Sequence, residues 1–255
     1  MDEREILKAL EAIGIPRFKY YPQVGSTNDL AIEWAKAGSP EFSLVIANSQ
    51  IAGRGRLNRN WVTNEGEGLA FSIVLRPKPD ERISLFSALG GIAVCDTFIQ
   101  NLLLPATIKW PNDVLISGRK VSGILAEAHW DGSLDLVLGI GINVGKDSLP
   151  DPDQLNFPAT TLETELDHPI DRLPVLAEVL KRLIHWRGLL GRMDFFTYWN
   201  SHLAYIGKPV QVTLPGEKIQ GILSGISEEG NLQIQKENGK TIDVIMGDIQ
   251  LRPIS

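Results

Sequence analysis

Four short apolar segments follow one another in the middle of this 255-residue chain, with only turns between them. Gly118 and Gly132 mark two hairpin-like turns within the series. Strands joined so closely do not alternate with helices, so a regular βαβ order of the Rossmann type is excluded and an α+β fold is predicted. The four predicted strands are Thr107–Trp110, Val114–Ile116, Gly123–Glu127 and Leu134–Ile142.

Further helices and strands are predicted on both sides of this series. Two apolar runs, Leu44–Ala47 and Leu69–Leu75, are typical of buried strands. Helices are predicted over Asn28–Ala37, Leu173–Ile184 and Asp194–Leu203. A long helix after Pro79 has apolar residues at helical spacing, which predicts a buried stripe made of Leu85, Leu89, Ile92, Cys95, Ile99 and Leu102. The Asp- and Pro-rich stretch Lys146–Pro158 is predicted to be a loop.

The pattern changes after Tyr205, where the helical spacing stops. Short β segments with turn residues between them then continue to the end of the chain, which predicts a small barrel-like β module. The predicted domains are therefore residues 1–205 and residues 206–255. The predicted strands of the module are Val210–Leu214, Ile219–Ile226, Leu232–Gln235 and Thr241–Ile245.

Composition narrows the classes of protein that fit. The net charge of −6 argues against a general affinity for nucleic acid or for anionic membranes. Cys95 is the single cysteine, and the charged start of the chain lacks the apolar stretch of a signal peptide, so a cytoplasmic protein is expected. No apolar run is expected to span a bilayer, and the scattering of the four histidines argues against a structural zinc site.

The segment after the strand at Val45 combines three arginines with two glycines. Glycine lets the backbone approach a ligand closely, and arginine offers planar donors suited to phosphate and carboxylate. The pattern favours a loop that binds an anionic ligand over a solvated basic turn, and also over an RNA-binding arginine–glycine tail, which is repetitive. The segment runs Gln50-Ile51-Ala52-Gly53-Arg54-Gly55-Arg56-Leu57-Asn58-Arg59-Asn60-Trp61.

A second segment places a carboxylate among lysines. Asn112 and Asp113 alone would be ordinary turn residues after Pro111. The combination of Asp113 with Lys109 and Lys120 favours a site in which the carboxylate holds Mg²⁺ against phosphate oxygens while the lysines offset their charge.

The glycines of the third segment, Gly139–Gly145, do not make a dinucleotide fingerprint. That motif opens a helix, whereas Asp147, Pro150 and Pro152 follow here. A strand whose glycines allow close approach of a ligand is predicted instead. The P-loop pattern is absent from the sequence, so any ATP site must use another scaffold.

Together these segments resemble the biotin–protein ligase family. The resemblance covers nearly the whole chain and implies a mixed sheet with packed helices, like that of class II synthetases, followed by an SH3-like β-barrel. It rests on four elements in the family's order: Ser26-Thr27-Asn28, the Gly-Arg-Gly-Arg loop, Lys-Trp-Pro-Asn-Asp with the downstream Lys-x-x-Gly-Ile-Leu, and Gly-Ile-Asn.

The resemblance also implies a role for each matching residue. The catalytic residues would be Lys120, Arg54 and Arg56, and Asp113 would bind Mg²⁺. Biotin would contact Ser26, Thr27, Asn28, Gln50, Gly53, Arg54, Gly55, Arg56, Lys120, Gly123 and Leu125. ATP would contact Arg56, Arg59, Trp61, Lys109, Asn112, Asp113 and Asn143.

The activity implied is formation of biotinyl-5′-AMP from biotin and ATP, then transfer of biotin to a lysine of a biotin carboxyl carrier protein. Both reactants are anions, so the site must neutralise charge, and no nucleophilic side chain is required. The resemblance alone suggests a homodimer.

The chain departs from the family pattern at two points. Asn58 stands where the family usually has glycine, and asparagine tolerates the left-handed conformation better than most residues. The Ser-Thr-Asn element begins at Ser26, which leaves too few residues for the helix-turn-helix of some members. A ligase-only form without DNA binding is therefore expected.

Three alternatives remain open at this point. Lipoate–protein ligases share the general fold and adenylation chemistry but lack this Gly-Arg-Gly-Arg loop. A biotin-binding module without catalysis would not need Lys109, Asp113 and Lys120. A nucleic-acid-binding protein is disfavoured by the net charge.

Overall fold

Seven strands form one mixed β-sheet at the centre of the protein. The structure is a computed structural model that describes residues 1–61, 63–130, 132, 134–150, 153, 155, 157–214, 216–245 and 250–254. The strands are β1 Phe18–Val24, β2 Leu44–Gln50, β3 Gly68–Leu75, β4 Ala106–Lys109, β5 Asp113–Ile116, β6 Arg119–Trp130 and β7 Leu134–Asn143. Their spatial order is β1-β2-β3-β7-β6-β5-β4. Only the β1–β2 pair among these is parallel, as expected for an α+β fold.

Helices cover both faces of the sheet. The helices are α1 Glu3–Ala12, α2 Thr27–Lys36, α3 Ser84–Leu102, α4 Leu162–Leu166, α5 Arg172–Arg187 and α6 Met193–Ser201. On one face, Ala31 and Ala35 of α2 pack against Val45 and Val137. On the other face, α3 packs against the strands and against α5 and α6. Successive residues of a central strand therefore point into the two cores on opposite faces of the sheet. The strand β3 is accordingly buried along its whole length.

The long helix α3 corrects one expectation from the sequence. By length and composition alone, Ser84–Leu102 could cross a membrane. Most of this helix is buried inside the protein, however, where it contacts the sheet and two other helices. Cys95 lies in this core, as its place on the apolar stripe predicts, and burial raises the pKa of its thiol.

The C-terminal module is a five-stranded antiparallel sheet, which agrees with the predicted SH3-like unit. Its strands are β8 Pro209–Leu214, β9 Glu217–Ile226, β10 Leu232–Gln235, β11 Thr241–Val244 and β12 Gln250–Pro253. Gly230 and Gly239 have positive φ angles in the predicted turns. The module is hydrogen-bonded to the larger sheet's helices, for example from Ile226 N to Asn200 Oδ1 over 2.8 Å. The predicted boundary at Tyr205 stays a prediction.

Candidate active site

A cavity of about 150 Å³ lies over β6 and β7, between the start of α2 and the turn that joins β4 to β5. It brings together every predicted site residue except Gly53 and Asn143. Gly53 lies beside it in the basic loop, and Asn143 lines a neighbouring cavity. Further lining residues belong to the segments that the sequence singled out: Leu57, Asn60, Trp110, Pro111, Ile124, Gly139, Ile140 and Gly141. Phe71, Leu251 and Arg252 lie outside those segments.

Uncharged polar groups fill one end of this cavity. The side-chain oxygen of Gln50 accepts hydrogen bonds from both the backbone N–H and the hydroxyl of Thr27, over 2.8 and 3.0 Å. Ser72 Oγ lies 2.7 Å from Thr27 Oγ1 and 2.5 Å from Asn28 Oδ1. Ser26, Thr27, Asn28 and Ser72 are all buried. The network holds these groups in fixed positions, which suits recognition of a neutral polar ligand rather than an anion.

The basic loop folds back on itself beside this polar end. Gly55 N donates to Arg59 O over 2.7 Å, and Trp61 N donates to Gly53 O over 2.9 Å. A Cβ atom on Gly53 would lie 2.5 Å from Trp61 O, so no larger residue fits there without a backbone shift. The left-handed residue of the loop is Leu57, with φ 60°, one position before Asn58. The loop therefore places the strained conformation at a different residue from the one that the sequence suggested.

The indole ring of Trp61 occupies the space above two strand glycines. A Cβ atom on Gly141 would lie 2.2 Å from that ring, and one on Gly123 would lie 3.0 Å from it. The ammonium group of Lys120 is 5.5 Å from the ring centroid, within cation–π range. The glycines in this part of the sheet thus make room for the side chain that closes the loop. Close approach of a ligand to these glycines stays a prediction.

The lysine–carboxylate cluster predicted from the sequence is present. Asp113 Oδ1 is 2.6 Å from Lys120 Nζ, and Asp113 Oδ2 is 3.2 Å from Lys109 Nζ. Burial alone would raise the pKa of Asp113, but the charges and hydrogen bonds of the two lysines lower it. Burial lowers the pKa of Lys109 and outweighs the opposing charge of Asp113. The cluster carries two cations against one carboxylate and so attracts an anion.

The neighbouring side chain of Arg119 points elsewhere. Its guanidinium is 2.7 Å from Glu165 Oε1 on α4. Adjacent residues of a strand face opposite sides, so Lys120 faces the cavity while Arg119 does not. Asn112 lies at the same cavity, where its side chain donates to Ile124 O over 2.8 Å and accepts from Arg56 at 3.5 Å.

The cluster does not fit a resident magnesium ion. Mg²⁺ requires near-octahedral oxygen ligands at about 2.0–2.1 Å, whereas both carboxylate oxygens of Asp113 are in ion pairs with lysines. Within the described part of the chain, no group of three or more His, Cys, Asp or Glu side chains could hold a metal ion. The arrangement therefore does not support the prediction that Asp113 binds Mg²⁺.

Arg54 is paired with two carboxylates at the edge of the cavity. Its guanidinium makes two hydrogen bonds to the Asp29 carboxylate, over 2.5 and 2.8 Å, and lies 3.4 Å from the Glu127 carboxylate. The hydrogen bond to Arg54 lowers the pKa of Asp29. Arg54 still lines the cavity, and its role towards the substrates stays a prediction.

The C-terminal module contributes two residues to the cavity, Leu251 and Arg252 of β12. The Arg252 guanidinium lies 5.0 Å from the Phe157 ring centroid, and Lys109 Nζ lies 4.9 Å from the same centroid. Neither residue could be predicted from the sequence, because no local pattern shows that the last strand returns to the first domain.

A second, wider cavity of about 410 Å³ adjoins the first and shares Arg59, Asn60, Trp61 and Lys120 with it. Its remaining walls include Asn143, Leu149 and apolar residues of the following loop. The shared residues lie where the two cavities meet, so two ligands bound side by side would both reach Lys120.

The comparisons with known proteins agree with this geometry. Residues 20–144 match the biotin/lipoate A/B protein ligase family, and residues 205–252 match the biotin protein ligase C-terminal domain. The chain therefore belongs to the biotin/lipoate A/B protein ligase family.

Individual relatives narrow this class to the biotin branch. The biotin–[acetyl-CoA-carboxylase] ligase of Mycobacterium tuberculosis is 31% identical over 98% of this chain and 95% of that protein. The bifunctional ligase/repressor BirA of Bacillus subtilis is 34% identical over 86% of this chain and 70% of that protein. The Aquifex aeolicus biotin protein ligase, solved in complex with biotin and ATP, has a TM-score of 0.82 and 32% identity, covering 94% of this chain and all of that one.

Proposed function

We propose that this chain is an ATP-dependent biotin–protein ligase. It forms biotinyl-5′-AMP from biotin and ATP and then transfers biotin to a lysine of a biotin carboxyl carrier protein. The observation that carries the proposal is one cavity with a neutral polar end at Thr27 and Gln50 and a cationic cluster at Lys109 and Lys120. Biotin has the same two ends, a neutral ureido ring and a carboxylate.

The polar end would bind the ureido ring. The hydroxyl and amide groups of the buried Ser26, Thr27 and Asn28, and of the partly buried Gln50, can donate and accept hydrogen bonds without carrying charge. A ligand that lacks a ureido group would leave some of these buried polar groups unpaired, which costs affinity. The preference for biotin over lipoate, which has no ureido group, follows from this.

The cationic cluster would serve the first reaction. A carboxylate oxygen of biotin attacks the α-phosphorus of ATP, the new oxygen–phosphorus bond forms, and the bond to pyrophosphate breaks. Two anions must meet, so Lys120 and Lys109, with Arg56 and Arg59 of the loop, would offset their charges. The carboxylate is already ionised at neutral pH, so this step requires no general base.

ATP would extend from this cluster into the wider cavity, where Trp61 and Asn143 border the space for the base. Because Asp113 does not fit a resident metal ion, Mg²⁺ would arrive with ATP as part of the nucleotide substrate, bound to its phosphates.

The second reaction requires an acceptor amine. The neutral amine of the carrier lysine attacks the acyl carbon of the mixed anhydride, an amide bond forms, AMP leaves, and the nitrogen gives up a proton. The adenylate is sensitive to water, and the loop closed by Trp61 would shield it. The names of the relatives from Mycobacterium tuberculosis and other bacteria support a carboxylase carrier protein as the acceptor.

The proposal includes a cytoplasmic location and no direct DNA binding. The single cysteine supports the first, and the net charge of −6 supports the second. A homodimer is proposed from the family resemblance alone. A mobility-shift assay at physiological salt tests whether the protein binds DNA. Size-exclusion chromatography with light scattering tests whether it is a homodimer.

A transfer assay tests the proposed function. The protein is incubated with ATP, Mg²⁺ and radiolabelled biotin, with a biotin carboxyl carrier domain or with the same domain in which the acceptor lysine is replaced by arginine. Label should enter the intact domain alone, and only when ATP is present. Labelling of neither domain, or equal labelling with lipoate, would overturn the proposal.

A further inference from the structure

We propose that Glu127 and Ser72 are positioning residues, which fix the direction of the hydrogen bonds at the polar end of the cavity. Their effect is that Thr27 Oγ1 turns a lone pair, and not its proton, towards the ligand. Neither of the two is among the residues that line the cavity, so both act through others. The proposal rests on the proposed function, because it concerns recognition of the ureido ring.

A continuous chain of hydrogen bonds connects Glu127 of β6 with Thr27 at the start of α2. Asn28 Nδ2 donates to Glu127 Oε2 over 2.5 Å. Ser72 Oγ, on β3, lies 2.5 Å from Asn28 Oδ1 and 2.7 Å from Thr27 Oγ1. Thr27, Asn28 and Ser72 are 3%, 4% and 0% exposed. Leaving one of these buried groups without its partner is therefore costly.

The side-chain amide of Asn28 has one orientation that satisfies its neighbours. One end of the amide faces the Glu127 carboxylate and, at 3.5 Å, the backbone oxygen of Leu125. A carboxylate and a carbonyl oxygen only accept hydrogen bonds, so the atom that faces them is the nitrogen. The amide oxygen then faces Ser72. Gly139 leaves room for this arrangement, because a Cβ atom there would lie 2.2 Å from Asn28 Oδ1.

The orientation of the amide determines the two hydroxyl groups in turn. Asn28 Oδ1 only accepts, so Ser72 donates its single hydroxyl proton to it and has only lone pairs left for Thr27. On the other side of Thr27, Gln50 Oε1 accepts the backbone N–H of Thr27 over 2.8 Å and lies 3.0 Å from its hydroxyl oxygen. Both neighbours of the Thr27 hydroxyl are therefore acceptors, and its one proton is committed to them.

The consequence for a ligand is a fixed preference at Thr27, which lines the cavity. Its Oγ1 atom binds an N–H group, whereas a ligand oxygen in the same place would meet a lone pair. The ureido ring of biotin has two N–H groups and one carbonyl oxygen. The chain from Glu127 thus selects the orientation of the ring and rejects a ring in which oxygen replaces the N–H that faces Thr27.

Isothermal titration without ATP tests this preference. The ligands are biotin and its two cyclic carbamate analogues, in each of which a ring oxygen replaces one ureido N–H. One analogue should bind the parent about a hundredfold more weakly than biotin, or worse, because a site built around a ligand N–H discriminates strongly against its loss. In Ser72→Ala the Thr27 proton is free to turn to the ligand oxygen, so the ratio of the two affinities should fall by about tenfold.

The matched control for Ser72→Ala is Ser122→Ala. Ser122 is also 0% exposed on a central strand, and its hydroxyl donates to Gly141 O over 2.7 Å. This variant loses one buried hydroxyl group outside the chain that leads to Thr27. Its ratio of affinities for biotin and the analogue should equal that of the parent.

Two substitutions of Glu127 separate hydrogen-bond direction from charge. Glu127→Gln keeps an oxygen that accepts from Asn28, so it should keep the parent's ratio of affinities. Glu127→Met has a similar length but no oxygen, so the Asn28 amide is free to reverse and the ratio should fall by about tenfold. Both variants remove a carboxylate 3.4 Å from Arg54, so an effect that arises from Arg54 would appear in both.

The outcomes that contradict the proposal are distinct from failure of the ligase assignment. Equal affinity of the parent for biotin and both analogues would overturn the proposal. An unchanged ratio in Ser72→Ala and Glu127→Met, with circular dichroism showing both folded, would also overturn it. Equal loss of the ratio in Glu127→Gln and Glu127→Met would overturn the role of Glu127. If Ser72→Ala does not fold, the two Glu127 variants decide alone. Biotin binding is measured throughout, and only its absence in the parent would count against the proposed function as well.

Discussion

The indole N–H of Trp110 donates a hydrogen bond to the carbonyl oxygen of Gly230, 3.1 Å away, across the junction between the catalytic sheet and the C-terminal module. Trp110 is fully buried and lies in the segment that also carries Lys109 and Asp113. Gly230 has φ 82°, and a Cβ atom there would lie 2.9 Å from Leu85. A turn of the module is therefore fitted against the segment that places the cationic cluster.

Deleting residues 206–255 should abolish efficient adenylation. The deletion removes both the acceptor for the Trp110 N–H and Arg252 at the cavity, and loss of one preorganised cationic donor alone slows such steps by about a hundredfold or more. Circular dichroism shows whether the truncated chain is folded, and pyrophosphate release measures adenylation. A folded truncate with full activity would show that the module has no functional role.

Replacing Gly141 by alanine should weaken ligand binding without unfolding the sheet. The new Cβ would lie 2.2 Å from the ring of Trp61, so the loop must move outward. Overpacking of this kind costs about 1–3 kcal/mol, so biotin should bind about tenfold more weakly or worse by isothermal titration. In the control Gly91→Ala, the Cβ would meet Ile108 at an ordinary 3.5 Å. Equal affinity in the two variants would contradict the packing described for Trp61.

The pH dependence of the first step should report Lys109. Burial lowers the pKa of Lys109. In the free enzyme this lysine therefore loses its proton at a lower pH than a solvated lysine, whose pKa is about 10.4. Once neutral, it no longer attracts anions. As the pH is raised, kcat/KM for ATP should therefore begin to fall at a lower pH than it would if a solvated lysine were responsible.

The matched variant for this test is Lys109→Arg, because a guanidinium stays protonated throughout the range. The alkaline decline should move to higher pH or disappear in this variant. If the two proteins show the same alkaline decline, another group is responsible.

Lys120→Ala should leave the fold intact and slow biotinyl-AMP formation by about a hundredfold or more, as expected for one lost electrostatic donor. Lys120→Arg should recover only part of the rate, since a planar group does not replace a compact ammonium. Arg119→Ala is the control, because Arg119 is paired with Glu165 on the opposite side of the strand. If Arg119→Ala slowed biotinyl-AMP formation more than Lys120→Ala does, the wrong side of β6 would have been assigned to the phosphates.

Much of the fold could be predicted because its elements are strongly patterned. Strands such as Leu69–Leu75 are buried on both faces and show as continuous apolar runs. The α3 helix is rich in apolar residues, although it is buried on all sides from Leu85 to Phe98 rather than along one stripe. Four elements escaped prediction, namely α1, α4, β1 and β12, and α4 is only five residues long. Half of the residues of α1 are charged, although Asp2 caps the helix. The edge strand β1 is only partly buried and contains Pro22, and β12 is only four residues long.

The site could be predicted where its residues are close in the sequence. The basic loop and the Lys109–Asp113 segment each carry a local chemical pattern, and the cavity unites them. Asp29, Glu127 and Arg252 could not be found in this way, because each reaches the site from a separate element. Such contacts depend on how the chain folds, and a single sequence contains no local sign of them.

The most direct test of the central claim is a rapid-quench single turnover with excess protein, biotin, Mg²⁺ and ATP labelled at the α-phosphate. Label should appear in biotinyl-5′-AMP before any acceptor is added, and it should pass to free AMP at the rate at which an added carrier domain becomes biotinylated. Absence of labelled biotinyl-AMP, or an equal amount of labelled adenylate when lipoate replaces biotin, would contradict the assignment of this chain as a biotin–protein ligase.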